Sequence, residues 1–351
     1  MLFLGAGVSH ALGLHDLQGI TTAVIDQLDN QGQRELVHHI ITTLERANVN
    51  SSFFNPGEID LEIIFSVMNG IANSTEVLRD SGPYSIYINE LGGSPRSPYA
   101  DALREVAEIG QIRARIGQII MESCINPNIP LALGHFRRLF ELGIELAATQ
   151  YRGIFEHIVT TNYDLIVERC SRENHNIHGK RGFEREDDTD EYYLPVEKIV
   201  LGTQHSNFAI EYLKLHGSID WWIRDRDNRI IRRDTDVSLT GERYRGQLMI
   251  YPIYEKYISK DPFFSLYYYF RKLLYLHNRY VVIGYSFRDP SINNAFADAL
   301  RDTNKRMIIV NPDRNSMEWR VDQSFPNDRV DIIETAFGEP NLVDDLRDLL
   351  I

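Results

Sequence analysis

The chain has 351 residues, and 43% of them are hydrophobic, which suits two domains or one domain with a large insertion and excludes a disordered chain. Its 37 basic and 50 acidic side chains give a net charge of −13, which argues against non-specific binding to nucleic-acid phosphates. The two cysteines, Cys124 and Cys170, exclude a disulfide framework and a four-thiolate zinc site. With no signal peptide and no apolar run of about 18 residues, we expect a cytoplasmic protein without membrane contact.

Short apolar segments that stop at Gly, Asn or His predict five buried parallel strands. They are Leu2–Leu4, Ile158–Thr161, Tyr212–Leu215, Tyr280–Ile283 and Met307–Val310. The pattern predicts an α/β fold with a Rossmann-like parallel sheet flanked by helices. Open sheets of this class bind ligands at the carboxyl ends of their strands, so we expect the residues after these strands to converge on one crevice.

Apolar residues at three- and four-residue spacing predict helices between the strands. The predicted helices are Glu58–Met68, Ala100–Cys124, Leu131–Ala148, Asp261–Leu276, Ser291–Asp302 and Leu342–Leu350. Residues 20–154 contain no clear strand, which predicts a large, mostly helical insertion after the first strand, with an internal boundary at Ser81–Ser97. The sheet domain would comprise residues 1–19 and 155–351. The charged segment Gly179–Glu191 is expected to be an exposed loop.

A glycine motif, Gly5-Ala6-Gly7-Val8-Ser9, directly follows the first predicted strand. Glycine lets the backbone approach a pyrophosphate, and the start of the next helix favours an anion. A tight turn without any ligand explains the same residues. His10 occupies the third glycine position of the full dinucleotide-binding fingerprint, so this motif alone does not define a site.

Polar residues also follow the next two strands. Asn162 could hydrogen-bond ribose hydroxyls or hold a water, whereas Asp164 could contact a ligand or cap the following helix. His216, at the end of the third strand and before a glycine, suits a general base in a cleft, although a structural histidine is the alternative.

The last two predicted strands end in similar motifs. Gly284 and Ser286 form a second glycine turn with a hydroxyl, suited to phosphate or ribose contact or to a purely structural turn. Asn311 could reach a ribose, and its Asn-Pro-Asp sequence is also an ordinary turn.

Five features, taken in chain order, resemble the sirtuin superfamily over residues 1–17 and 155–351. They are the motifs GAGVS, TNYD, LHG and GYS and the strand that ends at Asn311. The phrases KLHGSIDWW and VVIGYSFRDPSIN look most like the zinc-free prokaryotic sirtuin-like NAD hydrolases of anti-phage defence systems. The resemblance implies that Asn162 and His216 are catalytic, with His216 as general base. It implies that NAD is bound by Gly5, Ala6, Gly7, Ser9, Asp164, Gly284, Ser286 and Asn311.

Two departures from deacetylating sirtuins affect the expected reaction. Their four-cysteine zinc module follows the HG motif, but here Ile219–Ile230 reads as a β-hairpin without cysteine. Their Pro-x-Phe-Arg segment is replaced by Gly13–Gln18. The spacing of Cys170, His175 and His178 is not a standard zinc pattern. We therefore expect no zinc. The two departures weigh against acyl-lysine transfer and leave NAD cleavage as the expected reaction.

The resulting hypothesis is an NAD glycohydrolase that gives nicotinamide and ADP-ribose, with water as acceptor and cyclisation left open. The alternatives are an NAD-dependent protein deacylase, a non-catalytic sensor of NAD or ADP-ribose, and an unrelated α/β protein. Because uncontrolled NAD hydrolysis would kill the host, we expect gating by homo-oligomeric assembly or by a partner. The resemblance suggests a HerA-like ATPase or an Argonaute-like sensor as that partner.

Overall fold

The computed structural model describes residues 1–15, 17–28, 31–51, 59–72, 86–87, 106–125, 127–147, 155–173, 178–180, 182–187, 189–196, 199, 209–233, 244–249 and 261–350. The chain forms two compact units. The first comprises Met1–Leu14, Cys124–Met249 and Ile258–Ile351, and the second comprises His15–Ser123 and Ile250–Tyr257.

The described part of the chain contains both strands and helices. The strands are β1 (Leu2–Leu4), β2 (His157–Thr160), β3 (His178–Lys180), β4 (Glu184–Arg185), β5 (Glu191–Tyr193), β6 (Ala209–Lys214), β7 (Gly217–Arg224), β8 (Ile230–Arg233), β9 (Tyr244–Met249), β10 (Arg279–Ile283), β11 (Arg306–Val310) and β12 (Val330–Ile333). The α-helices are α1 (Ala6–Ala11), α2 (Leu17–Gln27), α3 (Gln31–Ser51), α4 (Leu61–Ala72), α5 (Val106–Cys124), α6 (Ile129–Ala147), α7 (Ile166–Glu173), α8 (Phe263–Leu276), α9 (Pro290–Ala299), α10 (Arg314–Ser324) and α11 (Leu342–Leu350).

A seven-stranded sheet in the order β12-β11-β10-β1-β2-β6-β3 forms the centre of the first unit, and all its neighbouring strands are parallel. All five strands predicted from apolar segments lie in it, which confirms the α/β fold. The central strand β1 is buried on both faces, with Leu2–Leu4 at most 1% exposed. Phe136 and Leu139 of α6 belong to the same apolar core as Leu2 and Leu4. Burial of this surface is the main favourable term for the sheet.

Helices occupy the described residues between β1 and β2, which confirms the predicted helical insertion after the first strand. The second unit contains α2, α3 and α4, and its buried side chains include Ile40, Leu44 and Ile64. Helix α6 falls within residues 20–154 in sequence, yet it belongs to the first unit. The predicted boundary Ser81–Ser97 lies outside the described residues except for positions 86 and 87. None of the described helices is long and apolar enough to cross a membrane.

A second sheet in the first unit is antiparallel, in the order β4-β5-β8-β7-β9. The predicted hairpin over Ile219–Ile230 is confirmed, because β7 and β8 pair antiparallel across a turn at residues 225–229. The prediction that Gly179–Glu191 is only an exposed loop is wrong, because this segment contributes to three strands. Its charges are compatible with a sheet because Arg224 pairs with Glu186 and Glu191.

Candidate functional site

The two predicted glycine turns are joined by their backbones. The N–H of Gly7 donates to the carbonyl of Gly284 at 2.8 Å, and that of Gly5 donates to the carbonyl of Ile283 at 2.9 Å. Gly284 has φ of 64°, and a Cβ there would lie 2.7 Å from the backbone nitrogen of Val8. A Cβ on Gly5 would lie 2.5 Å from the carbonyl oxygen of Gly284. Glycine is therefore required at these positions for close contact between the turns after β1 and β10.

Asn162 is fixed by hydrogen bonds to the first glycine turn. Its side-chain amide nitrogen donates to the carbonyl of Gly5 and to the hydroxyl of Ser9, both at 2.9 Å. Its backbone N–H donates to the hydroxyl of Thr160 at 3.0 Å. Because both amide protons are used within the protein, the orientation of the carboxamide is set and its Oδ1 is the side-chain atom left to accept a hydrogen bond.

Asp164 continues this chain of hydrogen bonds. The Ser9 hydroxyl donates to its Oδ2 at 2.5 Å, and the backbone N–H of Ile166 donates to its Oδ1 at 2.9 Å. The second bond is the helix-capping role considered from the sequence. Burial raises the pKa of Asp164, while the charge of Lys214 and the bond from Ser9 oppose that rise. Both carboxylate oxygens thus support the loop that carries Asn162.

Lys214 is a site residue that the sequence reasoning missed. Its ammonium group is buried and pairs with Glu168 at 3.0 Å, with both side chains 2% exposed. It also donates to the hydroxyl of Ser218 at 2.9 Å and to the backbone carbonyls of Tyr163 and Asp164. Its place two residues before His216, among the apolar residues Tyr212, Leu213 and Leu215, was the available signal, since a buried lysine needs acceptors. Lys214 ties the loop after β2 to the turn after β6.

A small cavity with both polar and apolar lining residues lies beside this lysine. Asn162, Asp164, Glu168 and Lys214 contribute to its lining, together with apolar residues that include Leu4. Its volume of about 10 Å³ is on the scale of one water molecule. The side chains of the loop after β2 therefore pack closely around the β6 lysine.

His216 contacts two further residues that the sequence reasoning missed. Its Nε2 lies 3.0 Å from the phenol oxygen of Tyr267 on α8 and 3.3 Å from Oδ2 of Asp289. The Tyr267 hydroxyl donates to the same Oδ2 at 3.1 Å. Oδ1 of Asp289 caps α9 by accepting from the backbone N–H groups of Ser291 and Ile292. The cap was visible in the sequence Asp-Pro-Ser, but the contact with His216 was not.

The remaining predicted residues are less tightly connected. Ala6 begins α1 and is exposed, and Ser286 is exposed in the turn after β10. Asn311 is half-buried, and its Oδ1 accepts from the backbone N–H of Asp313 at 2.9 Å, as in an ordinary turn. Among the described contacts, neither Ser286 nor Asn311 bonds to the cluster formed by Gly5, Ser9, Asn162 and Asp164.

Both cysteines are buried, including Cys170, which was considered as a metal ligand. Cys170 lies on α7 and packs in the apolar core. His175 lies outside the described residues, and so does the side chain of His178. Within the described ranges, no group of three or more His, Cys, Asp or Glu side chains is arranged to hold a metal ion.

A model of the SIR2-like domain family matches residues 156–327, which include Asn162, His216 and Gly284. No match is found among curated proteins. Among solved structures, the chain is similar to one described as a mutant of a Sir2 homologue in complex with ADP-ribose. The identity is 12%, the TM-score is 0.44, and the alignment covers 100% of this chain and 90% of that chain. The family match agrees with the resemblance inferred from the motifs: residues 156–327 of this chain are similar to a SIR2-like domain.

Proposed function

We propose that this chain hydrolyses the nicotinamide–ribose bond of NAD and releases nicotinamide and ADP-ribose. The observation that carries the proposal is the hydrogen-bonded chain of Gly5, Asn162, Ser9 and Asp164 at the carboxyl ends of β1 and β2. Ligands of open α/β sheets bind at this edge, and Asn162 and Asp164 lie within the residues that are similar to a SIR2-like domain.

The reaction requires the protein mainly to orient NAD and water and to accept one proton. The nicotinamide leaves as a neutral group with the electron pair of its bond to ribose, which develops oxocarbenium-like character. Water then forms the new bond to the same ribose carbon. Oδ1 of Asn162 accepts a hydrogen bond from that water or from a ribose hydroxyl. His216 takes the proton of that water or ribose hydroxyl. General-base catalysis of this kind is worth roughly 10²–10⁴-fold in rate.

We assign the pyrophosphate of NAD to the joined glycine turns, where the backbones of Gly5, Gly7 and Gly284 meet at the carboxyl ends of β1 and β10. The exposed residues beside them, Ala6 and Ser286, are the proposed contacts to the phosphates and to the adenosine side. We also assign Ser9 to the pyrophosphate contact and Asp164 to the nicotinamide end of NAD, and both side chains support the orientation of Asn162. Asn311 is proposed to contact the adenosine ribose.

Product analysis distinguishes this proposal from its alternatives. The purified chain is incubated with NAD, with and without an acetyl-lysine peptide, and the products are separated by chromatography. Equal amounts of nicotinamide and ADP-ribose without peptide are expected. Release of nicotinamide only with peptide, together with O-acetyl-ADP-ribose, would instead identify a deacylase. Measured NAD binding with no product in any condition, including added partners, would identify a sensor.

We also propose that the activity is gated by assembly or by a partner, in an anti-phage defence role. The supporting argument is physical, because constant NAD hydrolysis would exhaust the host's own cofactor. Specific activity should rise with protein concentration as a homo-oligomer forms, or on addition of a genomic-neighbour ATPase or Argonaute-like protein. Full activity in a dilute monomer that no neighbour protein stimulates would disprove gating without affecting the hydrolase proposal.

A further inference from the structure

We propose that Asp289 is a positioning residue that holds His216 in the tautomer with its proton on Nε2, which makes Nδ1 the basic nitrogen. The consequence for catalysis rests on the proposed NAD hydrolysis, whereas the tautomer itself is a property of the unliganded chain. Tyr267 lies between the two groups as the hydrogen-bonding bridge.

The geometry brings these three side chains together from separate elements. His216 follows β6, Tyr267 lies on α8, and Asp289 precedes α9. The side chains of His216 and Asp289 are 7% and 4% exposed, so water competes little for these contacts. Oδ2 of Asp289 is 3.3 Å from Nε2 of His216 and 3.1 Å from the phenol oxygen, which is itself 3.0 Å from Nε2.

A count of protons determines the tautomer. A phenol has one proton, and that of Tyr267 goes to Oδ2 of Asp289. The phenol oxygen and Oδ2 then both present lone pairs to Nε2 of His216. Only an N–H at Nε2 makes both short contacts favourable, so the neutral imidazole keeps its lone pair at Nδ1.

The environment of Asp289 supports its ionised form, which this count requires. Its Oδ1 accepts two backbone N–H groups at the start of a ten-residue helix, and both these bonds and the helix dipole favour a carboxylate. Burial and the neighbouring Asp289 raise the pKa of Tyr267, so the phenol keeps its proton. The arrangement is therefore an anion, a neutral phenol and an imidazole with its proton on Nε2.

The same arrangement stabilises the protonated base. When Nδ1 takes a proton from water or from a ribose hydroxyl, the resulting imidazolium keeps its Nε2–H on the Asp289 carboxylate. The positive charge is then adjacent to a buried negative charge. A carboxylate that orients a catalytic histidine in this way is worth up to about 10⁴-fold in kcat, as in the serine-protease triad.

Two substitutions separate the carboxylate from the phenol. In Asp289→Asn, the carboxamide oxygen can still cap α9, but the amide group then offers a donor to Nε2 of His216. We expect the proton to move to Nδ1. In Tyr267→Phe, the direct contact between Asp289 and His216 remains, so the tautomer should be retained.

The first experiment is ¹⁵N NMR of the full chain with labelled histidine, using His216→Ala to assign the signal. Wild type and Tyr267→Phe should have protonated Nε2 and unprotonated Nδ1, and Asp289→Asn should have the reverse. A wild-type imidazole with its proton on Nδ1 would overturn the proposal, as would an unchanged tautomer in Asp289→Asn. This result does not depend on any NAD cleavage.

The second experiment measures kcat and KM for nicotinamide release under activating conditions. Asp289→Asn should lower kcat by roughly 10²–10⁴-fold while KM changes by only a few-fold, because the change affects the base and not NAD binding. Tyr267→Phe should lose about tenfold or less, the value of one hydrogen bond. A wild-type kcat in Asp289→Asn would contradict the positioning role. If wild type itself releases no nicotinamide, the proposed function fails while the NMR result still decides the tautomer.

Discussion

At the scale of single residues, the proposed site depends on how the side chain of Asn162 is oriented. The TNYD motif predicted where this residue lies, but not which way its amide points. Its partners, Gly5 and Ser9, are over 150 residues away in sequence, so no local pattern contains the information. The same is true of His216, whose contact Tyr267 lies 51 residues further along the chain.

Replacing Asn162 with Asp tests this orientation. The change is nearly isosteric, but it places a carboxylate oxygen against the carbonyl of Gly5 and against Ser9, whose proton already goes to Asp164. We expect a loss of about 1–3 kcal/mol in unfolding free energy, as for other unsatisfied partly buried groups, and loss of nicotinamide release. Thermal unfolding and the release assay measure the two effects.

The matched control is Asn278→Asp, which adds the same charge at an exposed position. It should change the unfolding free energy by no more than about 0.5 kcal/mol. If Asn162→Asp behaves like this control, the proposed pair of donor contacts from Asn162 is wrong.

At the scale of elements, the contact between the two glycine turns determines the relative position of the loops after β1 and β10. Gly284→Ala should be strongly destabilising, because it adds the cost of a left-handed φ to a clash with the backbone of Gly7 and Val8. The φ cost alone is roughly 1–2 kcal/mol. We expect the total loss in unfolding free energy to be well above this φ cost, as measured by denaturant or thermal unfolding.

Gly13→Ala is the control for the φ cost, because Gly13 has φ of 85° and open space around its Cα. It should lose only about 1–2 kcal/mol. Equal losses in the two variants would mean that the turns can separate without cost, and that the glycine contact does not hold the site.

The antiparallel sheet depends on Arg224, which bonds to Glu186, Glu191 and Asp227 at 2.5–2.7 Å. Hydrogen bonds from Arg224 hold the pKa of Glu186 and that of Asp227 below their usual range. A carboxylate whose pKa is lower in the folded than in the unfolded state stabilises the protein when the pH is above its unfolded pKa. This stabilisation is lost as the pH falls through the folded pKa.

Arg224→Met should therefore cost about 3 kcal/mol at neutral pH, near the lower limit for breaking a buried ion pair. The difference from wild type should shrink as the pH falls from about 5, where the carboxylates begin to protonate. Unfolding midpoints across that pH range measure this. Arg226→Met, at a side chain 67% exposed and with contacts of 3.4 Å or longer, should have little effect at any pH. A difference for Arg224→Met that does not vary with pH would contradict the ion-pair account.

Elements were predictable where burial alone determines them. Five of the seven strands of the parallel sheet contain apolar runs, so their composition and endings identified them. β4 and β5 were not predicted, because Glu184, Glu186 and Glu191 give their segment the composition of a solvated loop. Their charges are satisfied by Arg224 from a hairpin more than thirty residues away, a long-range contact that local sequence does not encode.

At the scale of the whole molecule, the order of weak motifs carried more information than any one of them. Parallel strands end at a common edge, and the residues after β1, β2 and β10 do meet through hydrogen bonds there. The supporting residues Lys214, Tyr267 and Asp289 were missed. Each acts through a group contributed by another element, so its role appears only when the fold is assembled.

The proposed function assigns the cleavage of NAD to Asn162 and His216. The most direct measurement is nicotinamide release from NAD by the purified chain, beside Asn162→Ala and His216→Ala, with and without genomic-neighbour proteins. We expect release by wild type and at least a hundredfold loss in both variants, about the minimum for losing a general base or its oriented substrate. Thermal stabilisation by NAD should persist in His216→Ala, which would separate binding from catalysis. Undiminished release by either variant, or no release by wild type in any condition despite bound NAD, would contradict the proposed function.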